Sequence, residues 1–216
     1  MRGTLHKTLY VRLCTESEKN TMKQILEIAE SIQKDAWAVI KDTNVIEIWS
    51  SIGATINLVG SLKMGLLINN RDIDFHIYTT PFKLSDSFSA ISKLAENKRI
   101  KTINYSNLLG AEDKCIEWHA FYEGRDGHSW QIDMIHILNE SPYVGHFEKV
   151  AERVSTVLTP EIRANILRIK NSIPIEKKVM GIQVYKAVIE DGIQDIDSFW
   201  QWKEQNPDEG IITWMP

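Results

Sequence analysis

Three aspartates and a glycine-serine pair are the residues of this sequence whose types and spacing could do chemistry together. Asp72-Ile73-Asp74 lies in a segment that reads as a β-strand. Strand geometry puts both carboxylates on one face, about 7 Å apart along the chain. Unpaired carboxylates that close repel each other, and a divalent cation removes that cost. Mg²⁺ prefers oxygen ligands and takes only a few from protein, leaving phosphates and water to supply the rest. Gly60-Ser61 precedes the pair by eleven and thirteen residues, counted from the serine. It ends an apolar run and opens a turn, and such turns can cradle an anion with backbone N–H groups. Gly65 would let the backbone turn sharply or approach a ligand closely. Asp133 interrupts the apolar run WQIDMIHI, so it should be paired or placed at a functional surface. If its strand neighbours 72–78, the three acids form one cluster. Such a cluster could hold two metals about 3.5–4 Å apart around a transferred phosphorus. Taken singly, each piece has a plain reading: solvated surface acids, ordinary turn chemistry, a buried salt-bridge partner. The argument rests on their joint occurrence in this order.

The elements that must position these groups follow from periodicity. Met22, Ile25, Leu26, Ile28, Ala29, Ile32, Ala36 and Val39 recur at helical spacing, with Ser17 or Thr21 as a candidate cap. Residues 8–13 could form a short strand. INLVG (56–60) reads as a buried strand, and 62–70 as a turn and loop. In DIDFHIY (72–78), Asp72, Asp74, His76 and Tyr78 share one face, and Ile73, Phe75 and Ile77 the other. Pro81 ends that strand. Leu84, Phe88, Ile91, Leu94 and Ala95 mark an amphipathic helix. A strand at 100–105 and a hairpin of 115–122 with 129–138 follow. Beyond Pro142 the pattern turns helical. Pro160 suits a first helical position after Thr159, Pro174 opens another helix that Gly192 stops, and Ser198–Lys203 forms a last short one. This divides the chain into an α/β unit, 1–141, and a helical unit, 142–216.

Bulk properties set outer bounds. The chain has 216 residues, 43% hydrophobic and 25% charged, with a net charge of −4. That is ordinary for a globular protein and gives no general attraction for nucleic acid, so a long nucleic acid partner is disfavoured. Cys14 and Cys115 form no metal-binding spacing and read as free thiols of a reducing interior. The N-terminal residues lack the apolar stretch of a signal peptide. No apolar run approaches the roughly 18 residues that span a bilayer. The expectation is a cytoplasmic protein with no membrane partner and an open oligomeric state.

The block LVGSLKMGLLINNRDIDFHI, followed by QIDMI, resembles the signature of the DNA polymerase beta-type nucleotidyltransferase superfamily. That signature is an apolar strand, Gly-Ser, a short spacer, Asp-x-Asp on a strand, and a third Asp on a later strand. The resemblance covers residues 56–78 and 130–137. It implies an α/β (α+β) fold: a mixed sheet flanked by helices, followed by a helical C-terminal region. It implies that Asp72, Asp74 and Asp133 bind two Mg²⁺ ions, with Asp133 helping to deprotonate an acceptor hydroxyl. Gly60 and Ser61 would hold the triphosphate of an NTP donor. A nucleoside monophosphate would pass to a small molecule, a protein side chain or an RNA end, releasing pyrophosphate. Small members often carry Arg close after Gly-Ser. Here Lys63 stands there and is the candidate phosphate ligand. The long segment between the second and third acids favours the larger transferase types.

Two alternatives remain at this stage. One is an inactive, antitoxin-like binding module on the same fold. The other is an unrelated α/β protein, in which Asp133 would lie far from Asp72 and Asp74. Several neighbours carry both a functional and a structural reading. His76 could touch the site, and His119 could face Asp133 across the hairpin if the register allows it. Arg71 could neutralise phosphate but defaults to a surface ion pair. Lys170, Lys177 and Lys178 read as a solvated helix face that could meet a triphosphate or acceptor. Trp200, Trp202 and Trp214 could stack a base, or pack a tail onto the domain.

Overall fold

The computed structural model describes residues 16–207 and 210–216. The strand expected at 8–13, and Cys14, lie outside the described residues. Helix α1 (Glu16–Thr43) and the short α2 (Val45–Ser50) lead into strand β1 (Thr55–Val59). A one-turn helix α3 (Gly60–Lys63), strand β2 (Asp72–Tyr78), helix α4 (Leu84–Leu94) and strands β3 (Ile100–Leu108), β4 (Cys115–Glu123) and β5 (Ser129–Ile137) follow. Helices α5 (His146–Val157), α6 (Pro160–Ser172), α7 (Gly181–Ile189) and α8 (Ile196–Gln205) complete the chain.

The strands form one mixed sheet of order β1-β2-β5-β4-β3. Only the β2–β5 pair is parallel; β1–β2, β3–β4 and β4–β5 are antiparallel. The hairpin places β5 back against β2, which is the pairing the third acid needs.

Alternation along the strands separates two faces. Ile73, Phe75 and Ile77 of β2, Ile132 and Met134 of β5, and Ile116 and Ala120 of β4 are almost wholly buried. They pack against Ala36, Val39 and Ile40 of α1, Trp49 of α2 and Ala90, Ile91 and Leu94 of α4. Each large aliphatic side chain buried there contributes about 1.5–3 kcal/mol of transfer free energy. The opposite face carries the polar residues of the same strands.

A second core gathers the C-terminal helices. Val150 and Val154 of α5, Ile166 and Leu167 of α6, Val184 and Val188 of α7 and Phe199 of α8 pack with Ile25 and Ala29 of α1. Leu66 and Ile68, in the loop after α3, join them. Helix α1 therefore serves both cores along its length, and the buried loop 64–68 runs between the sheet's polar face and the helices. No helix of the described residues is long and apolar enough to cross a membrane.

Local chemistry explains where expectation and structure agree or part. Thr159 caps α6, its Oγ1 accepting from Ile162 N at 3.2 Å with Pro160 in the first turn. Ser17 and Thr21 do not cap α1, which is already helical at Glu16; the Thr21 hydroxyl instead donates to Ser17 O at 3.0 Å within the helix. Pro174 does not open a helix. Ile173 is extended, as a residue before proline should be, and α7 begins only at Gly181. The chain between them forms a turn, with Lys177 N donating to Pro174 O at 2.9 Å.

Candidate active site

Register aligns the site across the sheet. Val59 pairs with Asp74, Asp74 with Asp133, and Asp133 with His119. One row of residues thus crosses four strands, with Gly60 at its end. Neighbouring strands lie about 4.8 Å apart, so Asp74 and Asp133 are side-by-side neighbours. The unrelated-fold reading, which required Asp133 to lie far away, is overturned by this pairing.

Gly60 meets two demands at once. Its φ is +66°, a conformation L side chains rarely adopt, and a Cβ there would overlap the Asp74 carboxylate. Only glycine lets the β1–α3 turn close over the acid. Gly65 also has positive φ, +70°. Its carbonyl accepts from Arg163 Nε at 3.2 Å, which fixes the loop to α6.

The acids sit in a cavity of about 750 Å³ between the sheet's polar face and helices α5 to α7. That volume lies within the range of small-molecule sites. Burial first, then the charges of Asp72 and Asp133, holds the Asp74 carboxyl well above the usual carboxylate range, against the pull of Lys170. Asp72 is raised as well, chiefly by burial and in part by Asp133. One Asp72 oxygen, Oδ1, is buried with no hydrogen-bond partner. Crowded carboxylates of raised pKa with an orphaned oxygen are the donor set a hard divalent cation would satisfy, so these residues fit Mg²⁺.

Ser61 is buried, and its Oγ lies 2.8 Å from Tyr185 Oη. It also accepts from Lys170 Nζ at 2.9 Å. Lys170 is not on a solvated face. It is 8% exposed, and its ammonium donates to Leu66 O at 2.8 Å and lies over the Tyr185 ring. Its burial was legible in part: Lys170 follows Ile166 and Leu167 at helical spacing, on the stripe of α6 that packs inward. Lys177 and Lys178 line the cavity from the α6–α7 turn and are exposed. Lys63 ends α3 exposed and is not among the residues that line the cavity. The cation beside Ser61 comes from α6 instead.

His119 does reach Asp133. Its Nδ1 is 2.6 Å from Asp133 Oδ1, and its Nε2 is 3.5 Å from Glu117 Oε2. Burial lowers the His119 pKa, but the bonds and charges of Asp133 and Glu117 outweigh it and leave the pKa raised. Gln131 Nε2 donates to both Asp133 oxygens, at 2.8 and 3.1 Å. Neither Gln131 nor Glu117 stood out in sequence, because only register brings them to the third acid.

His76 is buried on the same face, at ion-pair distance (3.4 Å) from Glu148 Oε2 but without hydrogen-bond geometry. Glu148 Oε1 also accepts from Tyr78 Oη at 2.8 Å and Asn57 Nδ2 at 3.3 Å. Arg71 pairs with Asp126 at 2.7 Å and lies over Trp130, so it braces the hairpin turn rather than the cavity. Trp202 donates to Asp191 at 2.8 Å, and Trp200 and Trp214 pack on the second core, so the cluster secures the tail. Asp113, Cys115 and Glu117 bring ligand atoms within 4.8 Å of one another along β4. The buried Cys115 donates to Asp113 at 3.4 Å, and burial with the nearby acids pushes its pKa up to about 12. It therefore stays a thiol, a poor ligand for a hard cation.

Among solved structures, the chain is similar to a cytoplasmic RNA terminal U-transferase, with TM-score 0.53, 14% identity, and 81% of this chain and 54% of that chain covered. It is similar to the Cid1 poly(U) polymerase bound to MgGTP, with TM-score 0.55, 14% identity and coverage of 79% and 55%. The chain has the fold of the DNA polymerase beta-type nucleotidyltransferases. Another structure of the Cid1 poly(U) polymerase gives TM-score 0.52 at 15% identity, over 81% of this chain and 55% of that one. The chain spans about half the length of these nucleotidyltransferase-fold proteins. No protein-family model matches it, and no curated protein sequence does.

Proposed function

We propose that the protein is a metal-dependent nucleotidyltransferase that moves a nucleoside monophosphate from an NTP to an acceptor hydroxyl. The observation that carries this reading is the row Gly60, Asp74, Asp133 inside one cavity, with Asp72 beside it and an orphaned Asp72 oxygen. Asp72, Asp74 and Asp133 would hold two Mg²⁺ ions, which when bound would offset the triphosphate charge and favour an alkoxide on the acceptor. The Gly60-Ser61 turn, beside the acids, would hold the phosphates, with the Lys170 ammonium adding positive charge behind Ser61. Asp133 stands beside the attacking hydroxyl and takes its proton. The acceptor oxygen bonds to the α-phosphorus, the bond to the β-phosphate oxygen breaks, and pyrophosphate leaves.

Two of the similar proteins are named for RNA terminal uridylyl transfer, which supports an RNA 3′ end as the acceptor here. Lys177 and Lys178 at the cavity mouth suit a phosphate backbone. The net charge of −4 confines such contact to a short stretch. In this reading an α/β unit, 1–141, carries the acids, and a helical unit, 142–216, supplies Lys170, Tyr185 and the cavity's far wall. A cytoplasmic setting accords with the free thiol of Cys115.

The test is incubation with each α-labelled NTP, Mg²⁺ and an acceptor panel: an RNA oligonucleotide with a free 3′ end, the same RNA blocked, and small polyols. Label transfer to the free-ended RNA with pyrophosphate release is expected. Transfer only to small molecules would overturn the RNA acceptor. No transfer and no pyrophosphate from a folded protein that binds NTP would overturn the enzyme reading.

A further inference from the structure

We propose that His119, braced by Glu117, is a positioning residue that fixes which oxygen of Asp133 is offered to the metal. This rests on the reading of Asp133 as a metal ligand. A carboxylate on a strand can rotate about its χ angles, and its two oxygens are equivalent until neighbours distinguish them. Here they do. Oδ1 takes the shorter Gln131 bond, 2.8 Å, and the His119 Nδ1 contact at 2.6 Å. Oδ2 has only the longer Gln131 contact, 3.1 Å. Oδ1 is thus tied to His119 of β4, and Oδ2 is the oxygen with spare capacity for a cation.

His119 is itself held in orientation. It stands directly opposite Asp133 in the β4–β5 ladder, so the contact is set by register rather than by a flexible reach. Glu117, two residues along the same strand face, lies at 3.5 Å from the other ring nitrogen. An ionised carboxylate can only accept, so in the 2.6 Å contact Nδ1 is the donor and Asp133 Oδ1 the acceptor. Such outer partners orient a ligating carboxylate, and their loss typically weakens metal binding by about 10–100-fold.

The test compares the full chain with His119→Leu, which removes the donor, His119→Asn, whose amide can replace Nδ1, and Glu117→Gln. Mn²⁺ affinity is read by titration calorimetry, and the Asp133 side chain by crystal structures of the metal-free proteins. The proposal expects Mn²⁺ binding weakened about 10–100-fold in His119→Leu, nearly restored in His119→Asn and weakened less in Glu117→Gln. It expects one Asp133 conformer in the parent, and a swung or divided one in His119→Leu. An undisplaced Asp133 in a folded His119→Leu overturns it, as does equal weakening by Leu and Asn. If the parent binds no Mn²⁺ while Asp133 still swings in His119→Leu, the metal reading of the site fails and the positioning role stands.

Discussion

Two sets of half-buried carboxylates lie against the same sheet face, and they are treated in opposite ways. Glu148 enters from α5 and finds Tyr78, Asn57 and His76 around it. Burial alone would raise its pKa, but the His76 contact and the hydrogen bonds win and hold it at about 2. Asp74 and Asp72, two and four residues before His76 on the same face of β2, receive no such side-chain donors. Burial raises both, with the charge of Asp133 on each and that of Asp72 on Asp74, and an Asp72 oxygen stays unpartnered. Lys170 and, for Asp72, a backbone hydrogen bond offset this in part, but the Lys170 ammonium is already committed to Ser61 and Leu66. A fold that satisfies one buried acid with neighbouring donors can supply donors. Leaving the others crowded and unsatisfied marks a place for a ligand that brings its own positive charge.

The comparison can be broken by substitution. The largest effect is expected for Gly60→Ala, which meets both a positive φ and the Asp74 carboxylate. A loss of about 3 kcal/mol or more is expected from chemical denaturation; a loss below about 1 kcal/mol would show that the turn does not close on the acid as described. Glu148→Ala should destabilise by about 1–3 kcal/mol, because the Tyr78 hydroxyl and Asn57 amide lose a buried acceptor. Asp74→Asn should do the reverse without metal, stabilising the fold as one of several crowded charges disappears. Urea midpoints of the two variants, compared at pH 7 in chelator, check the opposite signs; equal signs would erase the distinction.

A pH dependence arises from groups outside the site. His136 is fully buried between Trp49 and Phe82 and hydrogen-bonds Thr79, and burial lowers its pKa to about 4. The unfolded chain binds that proton near the ordinary histidine value, so it holds more protons than the fold between those limits. Stability is therefore full above about pH 6.5 and declines towards pH 4, by roughly 1–3 kcal/mol from this group. Glu148 adds its own loss only below about pH 4.5, as it approaches protonation. Denaturation midpoints of the parent and His136→Asn between pH 7.5 and 4.5 isolate the His136 contribution; a difference between the two that stays constant across that range would contradict the His136 assignment.

Much of this arrangement was legible in sequence. Period-two alternation in DIDFHIY put the acids on one face, and the structure buries Ile73, Phe75 and Ile77 on the other. The hairpin glycines gave β4 and β5, and the later Asp found its neighbour. What stayed hidden depends on contacts between residues far apart in sequence. Lys63 looked like the phosphate cation because it is close in sequence to Ser61, whereas Lys170 arrives from 109 residues away. The Gln131 and Glu117 partners of the third acid and its histidine depend on a register that turn length sets and sequence does not specify. Pro174 looked like a helix start because proline suits a first turn. It also forces the preceding residue to be extended, and here the chain makes one turn and waits for Gly181.

The central claim is that the Asp72–Asp74–Asp133 cluster is built to bind metal and nucleotide together. The direct measurement is the melting temperature in chelator, in Mg²⁺ alone, and in Mg²⁺ with each NTP, for the parent and for Asp72→Asn/Asp74→Asn. The account predicts that the parent is stabilised by Mg²⁺ with NTP, by about 3 kcal/mol at a hundredfold excess over Kd. The double variant should start more stable in chelator and gain nothing from the metal. Equal Mg²⁺-dependent stabilisation of both proteins would contradict the account.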